Sequence, residues 1–406
     1  MNPIVFAIPV FMASILVEVW IARRRGVKAY DTADALTSLH LGVLSQVTGL
    51  FVKLAVLGIY TAVYNHWRFT TLPISSVWVW LAALLVYDFF YYWAHRMGHE
   101  VAVLWAAHVV HHSSEFYNLS TALRQTSSGW IFGWVFYLPM ALAGVPPIVM
   151  VGVALIDLLY QYWVHTEMVG RLGWMDRVFV TPSNHRVHHG QNDYCIDKNY
   201  GGILILWDRL FGTFADERDD EKIIYGVRSP LRSLNPLWAN FHYYADLWQS
   251  TTQVKGWRRK LHVWLGGPGA WTGEPLPHFD GSQYQHYRPG TPAPIAAYAA
   301  LQFALLVPCV VHLIATGPAL LLPELTLYAL LIVASTFTVG ALLEGRRLSA
   351  RIEQARGMLL GLAFTLLPDW FGYEAPLLLR ATVLALTLGA ALWLEKNIKA
   401  NQWETT

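Results

Sequence analysis

Charged residues are scarce in this chain. Only 14 % of its 406 residues are Asp, Glu, Lys or Arg, whereas 55 % are hydrophobic, and the mean hydropathy is +0.35. Soluble domains carry about 25 % charged residues, so the composition argues against a soluble protein. The net charge is only +2, and basic and aromatic residues form no stripe, so we expect no nucleic-acid partner.

Cysteine is nearly absent as well. Cys195 and Cys309 are the two cysteines, which are too few for a disulfide framework or for a metal site built on thiolates. The first apolar run has no basic segment before it and no small-residue cleavage site after it. We therefore expect no signal peptide.

Long apolar runs, in contrast, are frequent. A bilayer span takes about 20 apolar residues, and only helices and closed barrels satisfy the backbone in lipid. The ten-residue alternation of a barrel is missing, so we predict an all-α, polytopic integral membrane helical bundle. Met358–Leu367 fits either a core helix or a partial span. The predicted membrane helices are Pro3–Trp20, Leu41–Tyr64, Val77–Trp93, Trp130–Leu142, Pro147–Val164, Ile295–Thr316, Leu320–Leu343 and Leu377–Leu394.

Basic residues predict the orientation of the chain. Arg23, Arg24 and Arg25 follow the first run, so the positive-inside rule places that loop in the cytosol. Counting onward, residues 130–164 enter the membrane and return as a hairpin, and residues 166–291 are cytosolic. The arginines that follow the seventh run are predicted to lie on the same side of the membrane. The Lys396–Lys399 tail lies on that side too if Met358–Leu367 is part of a membrane crossing. These arginines are Arg346, Arg347 and Arg351.

The apolar runs also suggest two units. Residues 1–291 are predicted to form a catalytic membrane domain, and residues 292–406 a C-terminal transmembrane helical unit. Clustered histidines and acids are confined to the first of these units.

Histidine carries the strongest functional signal. With 16 histidines in the chain, an HxxHH motif is expected about 0.02 times by chance. Two HxxHH motifs and one HxxxH motif nevertheless occur within one quarter of the chain. Histidines at i, i+3 and i+4 share a helix face. Eight imidazoles exceed the needs of one four-coordinate zinc and suit two metal ions, and imidazole favours Fe, Zn, Cu and Ni. The eight are His95, His99, His108, His111, His112, His185, His188 and His189.

Residues outside these three boxes are also candidates. His165 ends the returning helix beside the boxes, so we predict a ninth ligand there, although a lone histidine at a helix end is often only a cap. Gln161, one turn earlier, could orient a ligand or a metal-bound water. Asp88 lies inside an apolar run, where charges are usually functional, and is predicted to bond a ligand histidine or an arginine. Glu100 is either an acceptor for a ligand N–H or a solvated carboxylate.

The boxes resemble those of the fatty acid hydroxylase/sterol desaturase superfamily of membrane di-metal oxygenases. The sequence segments around the boxes further resemble those of the alkylglycerol monooxygenase family. The resemblance is strong from about residue 85 to 230 and weak elsewhere. Asn184 is a departure, since animal relatives are expected to have histidine there, but it lies outside the HxxHH frame. The segments are Trp105–Gln125, Thr181–Gly190, Tyr194–Gly202 and Trp207–Phe214.

The resemblance implies a di-iron (Fe²⁺) centre that faces the cytosol, either at the endoplasmic reticulum or at a bacterial inner membrane. The eight box histidines would be the ligands, with His165 added, and Glu100 matches a carboxylate that the family needs. Oxygen is the co-substrate and tetrahydrobiopterin the reductant. The carbon next to an ether oxygen of a glyceryl ether is hydroxylated, which releases a fatty aldehyde and a glycerol derivative.

Polar residues that flank the boxes are candidates for contacts to the lipid headgroup or to a pterin, or they only cap and brace the metal helices. The expected partners are a membrane lipid and an electron donor, and the sequence predicts no oligomeric state. The six flanking residues are Asn118, Arg124, Gln125, Tyr194, Lys198 and Asn199.

Two other functions remain open at this point. A sterol or fatty-acyl hydroxylase or desaturase shares the boxes, although the words from Asn118 and Asp197 onward argue against it. A metal-binding or lipid-binding membrane protein without chemistry is the second alternative. A metal transporter would place its ligands near the middle of the membrane, whereas these boxes lie at one face.

Overall fold

The computed structural model describes residues 3–345 and 347–400. Among these residues the secondary structure is helical, and β-structure is limited to isolated bridges. Short 3₁₀ turns lie between several of the helices. The α-helices are α1 (Pro3–Arg25), α2 (Thr32–Trp67), α3 (Val77–Glu100), α4 (Ala102–His112), α5 (Leu119–Ala122), α6 (Leu138–Leu142), α7 (Pro147–Trp163), α8 (Met175–Val178), α9 (Pro182–His188), α10 (Leu206–Phe211), α11 (Pro236–Gln253), α12 (Trp257–Leu265), α13 (Ala293–Thr316), α14 (Leu322–Leu343), α15 (Arg347–Leu366) and α16 (Leu377–Ala400).

Six of the described helices, α1, α2, α3, α13, α14 and α16, are long and apolar enough to cross a membrane. The predicted all-α membrane bundle is therefore confirmed. The helices continue past the ends of the apolar runs. In particular, α3 extends beyond Trp93 to Glu100, so His95 and His99 lie on the last turns of a membrane helix.

The entering half of the hairpin differs from the prediction. Trp130–Leu142 is not one helix: 3₁₀ turns at Gly129–Ile131 and Gly133–Tyr137 precede α6. Gly133 falls within the run, and glycine is a poor helix former. At the hairpin tip, Gly144 has φ +85°, and a Cβ there would lie 2.2 Å from the carbonyl oxygen of Thr70, so only glycine fits. The hairpin thus reaches the loop between α2 and α3.

The ambiguous run Met358–Leu367 lies at the end of α15, which packs against α16. Arg351 Nη1 lies 2.5 Å from Glu395 Oε2, so the start of α15 and the end of α16 are at the same level of the bundle. Arg346, one of the basic residues used for orientation, lies outside the described residues.

Helix α2 belongs to both large apolar cores. One core joins α2 to α13 and α14, with Val47 packed among Leu306, Val310 and Ile332. The other joins α2, α3, α6 and α7 around Tyr60. The first core spans the proposed boundary at residue 291, so the two-unit division stays a prediction about organisation.

The ends of several helices meet at the level of the histidine boxes. Arg25 Nη1, at the end of α1, donates to the carbonyl of Met168 at 2.9 Å. Ser114 Oγ, directly after the second box, donates to Asp34 Oδ2 in the first turn of α2 at 2.5 Å. The boxes therefore lie together at one end of the bundle, as the topology predicted. That this end faces the cytosol stays a prediction.

Candidate metal centre

Nine histidines lie in two groups at this end of the bundle. Within each group, one ring nitrogen from each histidine lies within 4.8 Å of those of the others. The groups adjoin through the stacked rings of His112 and His189, whose centroids are 4.3 Å apart. The first group is His95, His99, His108, His112 and His188, and the second is His111, His165, His185 and His189.

Helix geometry explains how each HxxHH box serves both groups. On α4, His108 and His112 are one turn apart and face the first group, while His111 faces the second. Residues at i and i+4 lie above one another, and the i+3 position is offset. In the third box the assignment is reversed: His185 and His189, one turn apart, belong to the second group, and His188 belongs to the first.

Backbone carbonyls fix the orientation of four of these rings. An Nδ1–H that donates to a carbonyl leaves Nε2 with its lone pair free for a metal, which is the usual arrangement around ligand histidines. The donor–acceptor pairs are His95 Nδ1 to Tyr200 O at 2.8 Å, His111 Nδ1 to Arg124 O at 2.9 Å, His165 Nδ1 to Gln161 O at 2.8 Å and His188 Nδ1 to Lys198 O at 2.9 Å.

The Nε2 atoms then converge. In the first group, His108 Nε2 lies 2.9 Å from His95 Nε2 and 3.1 Å from His112 Nε2. In the second group, His165 Nε2 lies 3.1 Å from the Nε2 atoms of both His111 and His185. A metal–nitrogen distance of about 2.0–2.1 Å places adjacent ligand nitrogens about 2.9 Å apart in an octahedron and about 3.3 Å apart in a tetrahedron. The separations fit ligands of a shared ion.

Two further nitrogens support the same conclusion. The Nε2 atoms of His99 and His188 are buried and have no hydrogen-bond partner among the described residues. A buried polar atom without a partner costs about 1–3 kcal/mol, and a metal ion would remove that cost. The histidine groups therefore fit a pair of metal ions.

Burial also sets the protonation state of the histidines that lie outside the membrane helices. Desolvation lowers the pKa of His111 to about 4. It holds the pKa values of His112, His185 and His189 well below the usual value. These imidazoles are neutral at neutral pH, and neutral imidazole is the form that binds metal.

Asp88 has a partner other than the one predicted. Its carboxylate accepts from the backbone N–H groups of Ile203 at 2.6 Å and Leu204 at 3.1 Å, and from Trp207 Nε1 at 2.8 Å. The predicted bond to a histidine or an arginine is therefore wrong. Asp88 instead ties α3 to the segment that supplies the Tyr200 carbonyl to His95.

Glu100 is paired with an arginine. Its Oε1 accepts from Arg96 Nε at 2.8 Å, and the carboxylate side chain is 33 % exposed. The structure gives no hydrogen bond from this carboxylate to a histidine among the described residues, and an effect of Glu100 on the metal centre stays a prediction.

Three of the six flanking polar side chains brace the centre. Asn118 and Asn199 are fully buried and donate to the carbonyls of Ala29 at 2.7 Å and Asn184 at 2.9 Å. Arg124 Nε donates to a carbonyl of α4 at 2.8 Å. Their placement favours the bracing alternative over direct contact with a ligand.

The other three flanking residues differ from one another. Gln125 lines a cavity below the histidines, so its placement leaves contact with a substrate open. Lys198 contributes its backbone carbonyl to His188. The ring of Tyr194 lies beneath the guanidinium of Arg218, 4.3 Å from the ring centroid.

This cavity has a volume of about 470 Å³ and runs from the histidines into the membrane part of the bundle. His108, His111 and His165 line one end of it, and its remaining wall comes mainly from α1, α2, α7 and α13. Apolar residues predominate in that wall. An apolar chain could therefore lie beside the metal groups against a mainly apolar wall.

Sequence reasoning missed two polar residues in the cavity wall. Tyr91 OH donates to Gln161 Oε1 at 2.6 Å, and Gln161 Nε2 donates to Asp157 Oδ2 at 2.5 Å. Asp157 is buried, and its Oδ1 has no hydrogen-bond partner among the described residues. The argument that selected Asp88, an acid within an apolar run, applies equally to Asp157 and could have found it.

Comparison with known proteins gives consistent matches. The fatty acid hydroxylase family model matches residues 80–213. An alkylglycerol monooxygenase from Danio rerio is 40 % identical over 384 residues, which cover 92 % of this chain and 83 % of that protein. The chain belongs to the alkylglycerol monooxygenase family. A Homo sapiens member is 37 % identical over 406 residues, covering 97 % of this chain and 89 % of the relative.

Family membership makes this protein a membrane lipid monooxygenase of the fatty acid hydroxylase superfamily. The resemblance of the segments around the histidine boxes to the alkylglycerol monooxygenase family is thus confirmed. A more distant similarity, to ornithine lipid hydroxylase OlsE from Rhizobium tropici, is 32 % identity over 140 residues, or 32 % of this chain and 40 % of that protein. No solved structure matches the chain.

Proposed function

We propose that this protein is a glyceryl-ether monooxygenase. It hydroxylates the carbon next to the ether oxygen of an alkylglycerol, using O₂ and a reductant. The relatives with most coverage are named alkylglycerol monooxygenases, which supports this substrate class. The observation that carries the proposal is the apolar cavity whose end is formed by histidines of both metal groups.

The reaction balances as follows. One oxygen atom of O₂ enters the C–H bond beside the ether oxygen, and the other leaves as water with two protons and two electrons from the reductant. The resulting hemiacetal transfers its hydroxyl proton to the departing glycerol oxygen, which yields a fatty aldehyde and a glycerol. A reduced pterin is our proposed two-electron donor.

Nine histidines would hold the two metal ions, which we propose to be iron. When bound, the iron pair supplies the activation of O₂. The protein supplies the rest: the carbonyls of Tyr200, Arg124, Gln161 and Lys198 orient ligand rings, and the apolar wall excludes water from the oxidised carbon.

The location of the histidines supports attack near the headgroup. They lie at one end of the bundle, so a lipid whose tail lies in the cavity presents a carbon near its polar end to them. We propose that this end faces the cytosol and that Gln125 and Gln161, both in the cavity wall, contact the polar part of the substrate.

The test is the identity of the product. The iron-loaded protein in lipid nanodiscs is supplied with 1-O-hexadecylglycerol, O₂ and either a reduced pterin or reduced ferredoxin. We expect hexadecanal and glycerol in equal amounts, and no aldehyde from a variant that carries both His111→Ala and His188→Ala. A desaturated or mid-chain hydroxylated product would contradict the proposal and place the protein with the acyl hydroxylases and desaturases.

A further inference from the structure

We propose that α1 and α13 form the wall that measures the length of the substrate's alkyl chain, so that the C-terminal unit takes part in substrate selection. This inference rests on the proposed function for the identity of the lipid. It assigns a role to α13, which lies outside the residues that the fatty acid hydroxylase family model matches.

The cavity has a polar end and an apolar end. At the polar end lie His111, His165 and Gln161. A contact between two aromatic rings fixes α1 beside this end, because Phe11 packs against Tyr162 with the ring centroids 4.3 Å apart. The lining therefore changes from imidazole and amide to hydrocarbon along the direction of the helices.

The apolar end extends away from the histidines. Since Arg25 at the end of α1 bonds Met168, residues that precede Phe11 lie further from the histidine end. Ile4 and Ile8 line the cavity, and Ile4 lies about two helical turns, or roughly 10 Å, beyond Phe11.

Helix α13 lies next to α1 and forms another part of the cavity wall. Phe303, Val307 and Val310 all line the cavity; their spacing of i, i+4 and i+7 places them on one helix face. Phe303 and Val310 are buried, and Ile8 of α1 packs against the core that contains them. An alkyl chain that enters past His165 would end between Ile8 and these side chains.

A cavity bounded by apolar side chains gives chain-length selection by a simple physical route. Each methylene that fits into the cavity strengthens binding of the lipid about four-fold through hydrophobic transfer. A methylene that does not fit lacks this gain in affinity. The volume of the side chain at Val307 therefore sets the longest chain that binds without loss. A lipid-facing position on the same helix has no such effect.

The experiment compares Val307→Phe with Leu305→Phe. Leu305 is on the same helix but is 49 % exposed and does not line the cavity. For each variant and the parent protein, binding of 1-O-dodecylglycerol and 1-O-octadecylglycerol is measured by ligand-induced thermal stabilisation, together with kcat/KM for each lipid. Val307→Ala, which enlarges the cavity, serves as a second variant if Val307→Phe does not fold.

We expect Val307→Phe to weaken octadecylglycerol at least ten-fold more than dodecylglycerol, and Leu305→Phe to leave their ratio unchanged. Val307→Ala should shift the preference toward the longer lipid. Equal losses for both lipids, or the same shift in Leu305→Phe, would overturn the inference. Because binding is measured apart from turnover, chain-length selection with no aldehyde product would refute the proposed function alone.

Discussion

His111 and His165 are 54 positions apart in the chain, yet their Nε2 atoms lie 3.1 Å from each other. His111 is on α4, and His165 follows the end of α7. The opposite nitrogen of each ring donates to a backbone carbonyl. Both lone pairs therefore point to the same place. This arrangement gives the lone histidine outside the boxes the same surroundings as the box histidines.

We predict that removing one histidine from either group removes one metal ion. His165→Ala and His188→Ala should each lower the metal content from about two ions per chain to about one, because each side chain belongs to a different group and a metal site depends on its full ligand set. Metal analysis of the purified variants measures this. His66→Ala, an exposed histidine on α2, is the control and should keep both ions. Full metal content in His165→Ala would show that it is not a ligand.

The local parts of this site could be predicted from the sequence. Spacing alone places His108 and His112 on one helix face, and apolar run length predicts the membrane helices. The carbonyls that fix the rings could not be predicted, because the acceptor for His95 is Tyr200 O, 105 positions away. The partners of Asp88 are also distant backbone groups, which carry no sequence signal. By contrast, Gly133 is a local signal for the 3₁₀ turns that interrupt the otherwise apolar run Trp130–Leu142.

Glu100 is expected to affect the metal centre more than the fold. The Arg96–Glu100 pair is partly exposed, and such pairs contribute about 0.2–1 kcal/mol, so Glu100→Gln should change the unfolding temperature little. Glu100 nevertheless directly follows His99 in the chain, and partners of metal ligands alter affinity or activity by about 10–100-fold. We expect a fall in turnover of that order, measured as aldehyde release. Turnover equal to that of the parent protein would exclude this role.

Asp88 is expected to act through stability. Asp88→Ala would leave the N–H groups of Ile203 and Leu204 and the indole of Trp207 without their acceptor, at about 1–3 kcal/mol for each buried group. We predict a clear decrease in thermal stability, with loss of metal as the segment that carries Tyr200 detaches from α3. Asp31→Ala, at the N-cap of α2, is a suitable comparison because a lost cap costs about 0.5–2 kcal/mol. A smaller effect at Asp88 than at Asp31 would argue against the role assigned here.

The backbone carbonyl and the side chain of Gln161 have different roles. Its backbone carbonyl orients His165, while its side chain joins Tyr91 and Asp157 in the cavity wall. Gln161→Leu keeps the carbonyl, so we predict that both metal ions are retained. The same change removes the only amide between the Tyr91 hydroxyl and the Asp157 carboxylate in this network, and it leaves that carboxylate without its donor in an apolar cavity. We therefore expect aldehyde release to fall at least ten-fold at unchanged metal content, and Gln161→Glu, which places a second carboxylate against the buried Asp157, to lose at least as much. Loss of metal in Gln161→Leu would instead mean that the side chain, and not the carbonyl, positions His165.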